Sequence, residues 1–156
     1  MGYLRELDAL GRWVYGAAGL TGHRLSTAPP QVARPVILWE AQNRAGTTNL
    51  GNYHYTRRNS QYGVLYVNNL DQLARLVDAL EKDLGRRLNM LPVFESDKAE
   101  AKVVGRLKKV SFEIGNTNTL DVPFTISYEA TYERILPEVL PPARVVYNRL
   151  IEKGGL

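Results

Sequence analysis

The clearest pattern in the chain is the alternation of apolar and polar residues over 122–134 (VPFTISYEATYER). One side of this segment carries aromatic and aliphatic residues, and the other carries polar ones. The apolar set is Phe124, Ile126, Tyr128, Ala130 and Tyr132. A period of two, rich in aromatic and β-branched residues, is typical of a strand with one buried and one hydrated face. The sequence therefore predicts a strand here.

Shorter apolar runs predict five further strands. Residues 108–114 alternate, with Val110, Phe112 and Ile114 on the buried side, and a Gly/Asn-rich turn joins them to 122–134, which favours an antiparallel pair. The other predicted strands cover 35–40, 53–58, 61–67 and 91–95. Segment 21–34 is predicted as a connector. Segment 41–52, rich in Gly, Asn and Thr, is predicted as a long turn or mobile hairpin loop.

Apolar residues spaced three or four apart predict three helices. The first covers 3–18, and the third covers 141–153, where Pro141 and Pro142 fit a first turn. The second begins at Asn69, whose side chain is expected to cap it, with Gln72 placed as in a capping box. The apolar stripe of this second helix is Leu73, Leu76, Val77, Leu80 and Leu84.

These elements predict a single α+β domain over residues 1–156. It has a mainly antiparallel β-sheet with helices packed on one face, a core over 33–134, and N-terminal and C-terminal helices. Parallel pairing stays open around the helix at 70–87. The length suits one domain, and we find no internal repeat.

The amino-acid composition excludes some classes of protein and leaves others possible. The net charge of +4 is compatible with a nucleic acid or another acidic partner without requiring one. The absence of cysteine excludes disulfides and Cys-ligated zinc. Charged residues interrupt the apolar N-terminal segment, and no apolar run approaches the roughly 18 residues of a membrane span, so we expect neither a secretory signal nor a membrane helix.

No catalytic pattern emerges from the sequence. His23 and His54 lack metal-binding spacing, and no phosphate-binding glycine loop is present. Glu129 and Glu133 share the polar side of the strand at 122–134 and are interpreted as solvated residues. We therefore expect that the protein is not an enzyme and that it binds neither a cofactor nor a metal ion.

The order of the segments resembles the tail terminator proteins of long-tailed bacteriophages and related contractile particles. The matching segments are RPVILWE, YGVLYV followed by the leucine-striped helix, LPVFE, and the pair KKVSFEI and LDVPFTISYEATYER. The clearest matches are residues 62–67 and 124–134, and the resemblance covers most of 33–134.

This resemblance implies a structural virion protein of the tail or neck, assembled in the host cytoplasm. Its homohexameric ring would cap the tail tube, end tube polymerisation and provide a docking surface for head-completion or neck proteins. In a contractile tail it would also contact the sheath protein, and DNA would pass through it as cargo. The family carries no catalytic residues.

A ring of this kind needs a heterologous interface, in which one patch contacts a different patch on the next copy. We expect the contacts to come from sheet edges, segment 41–52 and the C-terminal helix. The predicted interface residues are Asn43, Arg44, Asn49, Tyr53, Tyr55, Arg57, Arg58, Tyr147 and Arg149.

Two other functions stay open. Another head–tail joining protein, such as a completion or stopper protein, would differ by binding the portal side rather than the tube. A small nucleic-acid-binding α+β module would use Arg57 and Arg58, with nearby tyrosines for base stacking. Its affinity would depend strongly on salt.

Overall fold

A mixed six-stranded sheet dominates the computed structural model, which describes residues 2–49, 51 and 53–133. Two α-helices accompany it, one N-terminal and one mid-chain. The strands are β1 (Gly22–Arg24), β2 (Val36–Asn49), β3 (His54–Tyr66), β4 (Leu91–Phe94), β5 (Val103–Ile114) and β6 (Asp121–Glu133). The helices are α1 (Tyr3–Ala18) and α2 (Leu70–Arg86), and a short 3-10 turn covers Leu25–Thr27.

The strand order across the sheet is β1-β2-β3-β6-β5-β4. β1 lies parallel to β2, and the other neighbouring pairs are antiparallel. The longest uninterrupted pairing joins β3 to β6, from the His54–Glu133 pair to the Tyr66–Asp121 pair. β2 and β3 therefore form a long hairpin, and β6 supports it along its whole length.

The predicted fold class is wrong. Instead of a mainly antiparallel α+β sheet flanked by terminal helices, the described chain forms a mixed sheet curved into a half-barrel, with 45% of residues in strands and only two helices. The parallel strand β1 has three residues, Gly22, His23 and Arg24, which are too few and too polar to show a period of two. The predicted helix over 141–153 lies outside the described residues.

The prediction of a long turn or hairpin loop over 41–52 is also wrong, because β2 continues to Asn49. The strands predicted at 53–58 and 61–67 are one continuous strand, β3. The sequence pattern did not indicate this continuity because two buried positions of β3 are polar. Asn59 and Gln61 are fully buried, where an alternating strand usually has apolar residues such as leucine or valine. Their burial depends on hydrogen bonds to distant residues.

Several local predictions are confirmed. β6 alternates as expected, with Phe124, Ile126 and Tyr128 buried, and it pairs antiparallel with β5. The first helix has the predicted bounds. The second is capped by Asn69, whose side-chain oxygen accepts a hydrogen bond from the Gln72 N–H at 2.7 Å. These elements depend mainly on their own residues.

The core lies between the two helices and one face of the sheet. α1 packs against β4 and α2, and α2 also contacts β5. The fully buried residues that fill this layer include Leu10 and Val14 of α1, Leu80 of α2, Leu107 of β5 and Ile126 of β6. The core also includes Tyr128, Ala130 and Tyr132 of β6, which pair with residues 55–59 of the hairpin.

Candidate functional site

At one end the sheet narrows to three strands, and we call this part the arm: residues 44–49 of β2, 54–59 of β3 and 128–133 of β6. β1 stops pairing with β2 at Trp39, and β5 stops pairing with β6 at Glu129. Seven of the nine predicted interface residues lie in the arm or next to it. The arm is therefore the candidate site, and its inner face, toward α1, differs from its outer face.

A buried carboxylate joins the inner face of the arm to α1. Glu6 is fully buried, and its Oε1 accepts hydrogen bonds from the hydroxyls of Tyr128 and Tyr132, both at 2.8 Å. The Nδ2 of Asn59 donates to the same oxygen at 2.9 Å, and Arg44 Nη2 lies 3.4 Å from Glu6 Oε2. We call these five residues the polar cluster. It ties α1, β2, β3 and β6 together.

The two tyrosines of the cluster are held in their protonated form. Burial raises the pKa of Tyr128, and the Glu6 carboxylate raises it further. Burial and the hydrogen bond to Glu6 likewise raise the pKa of Tyr132. Both hydroxyls therefore remain donors at neutral pH, as a buried carboxylate requires.

Gln42 closes the network from β2. Its Nε2 donates to the Tyr128 hydroxyl, and its Oε1 accepts from Arg44 Nε at 2.6 Å. Glu6 itself has no solvent-accessible surface. The cluster is therefore placed to hold the arm against α1 rather than to act on a dissolved substrate.

Aromatic and cationic side chains extend the inner face outward from the cluster. The ring of Tyr55 stacks on Tyr132 with centroids 5.3 Å apart and an interplanar angle of 28°. The Arg57 guanidinium lies 5.7 Å from the centre of the Tyr55 ring, and that of Arg44 lies 5.8 Å from Tyr132 and 6.0 Å from Tyr3. Such cation–π contacts hold the arginines close to the sheet.

The outer face of the arm is polar and carries both hydroxyl and charged side chains. The hydroxyls of Thr56 and Thr131 lie 3.2 Å apart across β3 and β6. Charge is concentrated at Glu129, which lies 4.0 Å from Arg58 and 3.4 Å from Lys109. The Arg58 side chain is half exposed, so it remains accessible to a partner.

The structure places the predicted interface residues on both faces of the arm. Arg44, Tyr55 and Arg57 lie on the inner face, whereas Asn43 and Arg58 lie on the outer face. Asn49 pairs with Tyr55 at the end of the hairpin, and Tyr53 is exposed just before β3. Tyr147 and Arg149 lie outside the described residues.

Sequence reasoning missed the polar cluster itself. Glu6 lies on the buried side of α1, four residues before Leu10 and seven before Trp13, and this spacing is the signal that would have revealed it. Tyr128 and Tyr132 belong to the apolar set of β6, where their hydroxyls require buried partners. An acidic residue on one apolar face and two tyrosines on another indicate a shared buried network.

The described residues hold no group of three or more His, Asp or Glu side chains arranged to bind a metal ion. His54 lies near Glu133, 3.9 Å away, and His23 lies in β1. Within the same part of the chain, neither helix has the length and apolar character needed to cross a membrane.

No protein-family model matches the chain, and no curated protein matches it.

Proposed function

We propose that this chain is a tail terminator, the subunit of a ring, expected to be a hexamer, that caps the end of a phage tail tube. The observation that carries the proposal is the arm. In the arm the sheet narrows to three strands, and the polar cluster fixes them to α1. A surface that is already ordered loses less conformational entropy on binding than a flexible loop does.

The order of elements also supports the proposal. Within the described residues, each segment that underlies the resemblance contains a strand or a helix. β2 carries VILWE, β3 leads through Asn69 into α2, and β4 precedes the β5–β6 pair. Residues 41–49, which the sequence predicts as part of a loop, belong to β2 instead. The segment expected to contact partners is therefore a strand.

The proposed activity is assembly without a covalent step. The arm exposes Arg58 on one face and carries Tyr55 and Arg57 on the other, and tyrosine and arginine are enriched at interface positions that contribute most to affinity. The partners are other copies of the chain, the tail tube protein and a head-completion or neck protein. A contractile tail adds the sheath protein, and DNA passes through the ring as cargo. The complex resides in the virion, after assembly in the host cytoplasm.

Light scattering behind size exclusion, with and without isolated tail tubes, tests this proposal. We expect a hexamer, or a monomer that becomes a ring on tube ends and stops tube growth. Arg58→Ala should weaken assembly about tenfold, which corresponds to about 1.4 kcal/mol. The matched control is Arg75→Ala, an exposed arginine on α2, which should leave assembly unchanged. A protein that stays monomeric and ignores tubes contradicts the proposal.

A nucleic-acid-binding module is the second candidate, because Arg57 lies over Tyr55 and Arg58 is half exposed nearby. Such a protein combines stacking with phosphate contacts, and its affinity falls steeply with salt. Tight binding to single-stranded DNA in low salt, by a protein that ignores tubes, would favour it. Binding to the portal side rather than to tubes would instead indicate another head–tail joining protein.

A further inference from the structure

Along the arm, one edge of the sheet is not covered by any strand of the described residues. β2 pairs with β3 from Gln42 to Asn49, but no described strand lies on its other side, because β1 pairs only as far as Trp39. The outward N–H and C=O groups of such an edge are free to pair with an added strand. This open edge is a surface for strand addition.

The usual protections against strand addition are few along this edge. Proline, lysine and acidic residues are the common ones, and residues 41–49 (AQNRAGTTN) contain none of them. The one charged residue, Arg44, has its side chain turned inward to Glu6 and Tyr132. An irregularity around Gly46, where φ is 73°, is the one interruption in the pairing beyond Gln42. By contrast, the edge strand β4 has four residues and includes a proline.

In the same described part of the chain, a second open edge lies on the opposite side of the sheet. β4 covers β5 from Val103 to Leu107, and the N–H of Val110 donates to Asn89 O at 2.9 Å. From Ser111 to Ile114, β5 pairs with β6, and no described strand covers its other side. The exposed Glu113 of this edge lies on the outer face of the sheet, which at the β2 edge carries the uncharged Asn43 and Thr48. No like charges therefore oppose one another on this face when the two edges meet.

The directions of the strands also suit this pairing. β2, β3, β6 and β5 are successively antiparallel, so three reversals leave β5 antiparallel to β2. Rotation about an axis does not change the direction in which a strand runs along that axis. In a ring whose strands run mainly along its axis, the β5 of the neighbouring copy therefore lies antiparallel to β2. Because the two edges differ, the contact repeats from copy to copy and can close a ring.

We propose that the open edge of β2, residues 42–48, pairs antiparallel with the open edge of β5, residues 111–114, of a second copy. The sheet then continues from subunit to subunit. This inference rests on the proposed ring and names the two surfaces that join its members.

Engineered cysteines test the pairing, because the chain contains no cysteine of its own. Asn43→Cys and Thr48→Cys mark the outer face of β2, and Glu113→Cys marks that of β5. Each β2 variant is mixed with Glu113→Cys under ring-forming conditions and then oxidised. A disulfide needs Cα atoms about 4.4–6.8 Å apart, so only neighbouring strands react. We expect a band of twice the 17.5 kDa monomer mass in at least one mixture.

The matched control is Ser127→Cys, which lies on the same face but in the central strand β6. Mixed with Asn43→Cys, it should give no linked dimer. Amide hydrogen exchange provides a measure that does not depend on register, because the free amides of residues 42–48 should gain at least tenfold protection when the ring forms. Correct folding of each variant is checked by circular dichroism.

The outcomes separate this inference from the proposed function. A ring that shows neither cross-links nor new protection over residues 42–48 overturns the edge pairing and leaves the ring function standing. Thr48→Cys that links to itself without Glu113→Cys indicates a β2–β2 contact, which also overturns it. A protein that stays monomeric even with tubes overturns both.

Discussion

Replacement of Glu6 tests whether a charged group buried under the sheet holds the arm in place. Glu6→Gln keeps the shape of the side chain and removes its charge, whereas Glu6→Ala removes the acceptor altogether. The carboxylate accepts three hydrogen bonds on Oε1 and lies beside Arg44 on its other oxygen. Both substitutions therefore act on the same set of contacts to different extents.

The expected magnitudes follow from these contacts. Removing one member of a buried charged pair costs about 3–5 kcal/mol, so Glu6→Ala should lower the free energy of unfolding by about 4 kcal/mol. In Glu6→Gln, three charge-assisted hydrogen bonds become neutral ones, each weaker by about 1 kcal/mol. Relief from burying a charge offsets part of that loss, and we expect a net cost of about 2 kcal/mol.

Urea denaturation at a fixed protein concentration measures both values. The buried Trp13 and Trp39 provide a fluorescence signal, and circular dichroism provides a second probe. The transition midpoint should fall without a change in slope. Glu81→Gln, in an exposed position on α2, is the control and should stay within about 0.5 kcal/mol of the original protein. If Glu6→Gln is as stable as the original protein, the charge of the cluster does not stabilise the arm.

Three further predictions concern other parts of the fold. Gly63→Ala should destabilise the protein by about 1–3 kcal/mol, because the added Cβ would lie 2.8 Å from a backbone oxygen. Gly85→Ala in α2, where the added Cβ meets open space, should stabilise the protein by about 0.5–1 kcal/mol. Thermal unfolding measures both changes. Asn69→Ala should cost about 1 kcal/mol in urea denaturation, through loss of the helix cap, and Asn69→Ser should restore most of it. Burial and Glu6 raise the pKa of the Tyr128 hydroxyl above the ordinary 10.0, so this hydroxyl loses its proton at a lower pH in the unfolded chain than in the folded one. The free energy of unfolding that it contributes is therefore fully present below pH 10.0 and falls as the pH rises above that value. Tyr128→Phe should lose stability less steeply in alkali, and equal slopes would contradict this.

Elements whose burial depends on one periodic face were predictable from the sequence. β6 alternates because one side contacts the core and the other faces water, so its consecutive residues alternate between apolar and polar. The same holds for α1, and for α2 with its cap at Asn69. The role of Asn43, Arg44 and Asn49 at an interface stays a prediction, and the segment that carries them is part of strand β2 instead of a loop.

The sequence alone was therefore enough for elements that bury one regular face. The remaining features depend on tertiary contacts, because the polar residues involved find their hydrogen-bond partners far along the chain. Asn59 is buried in β3 since Glu6, 53 positions away, accepts its hydrogen bond, and Tyr128 reaches the same carboxylate across 122 positions. A polar residue in such a place looks like a loop residue until its partner is known. For the same reason the continuity of β3, the parallel strand β1 and the polar cluster emerged only from the folded chain.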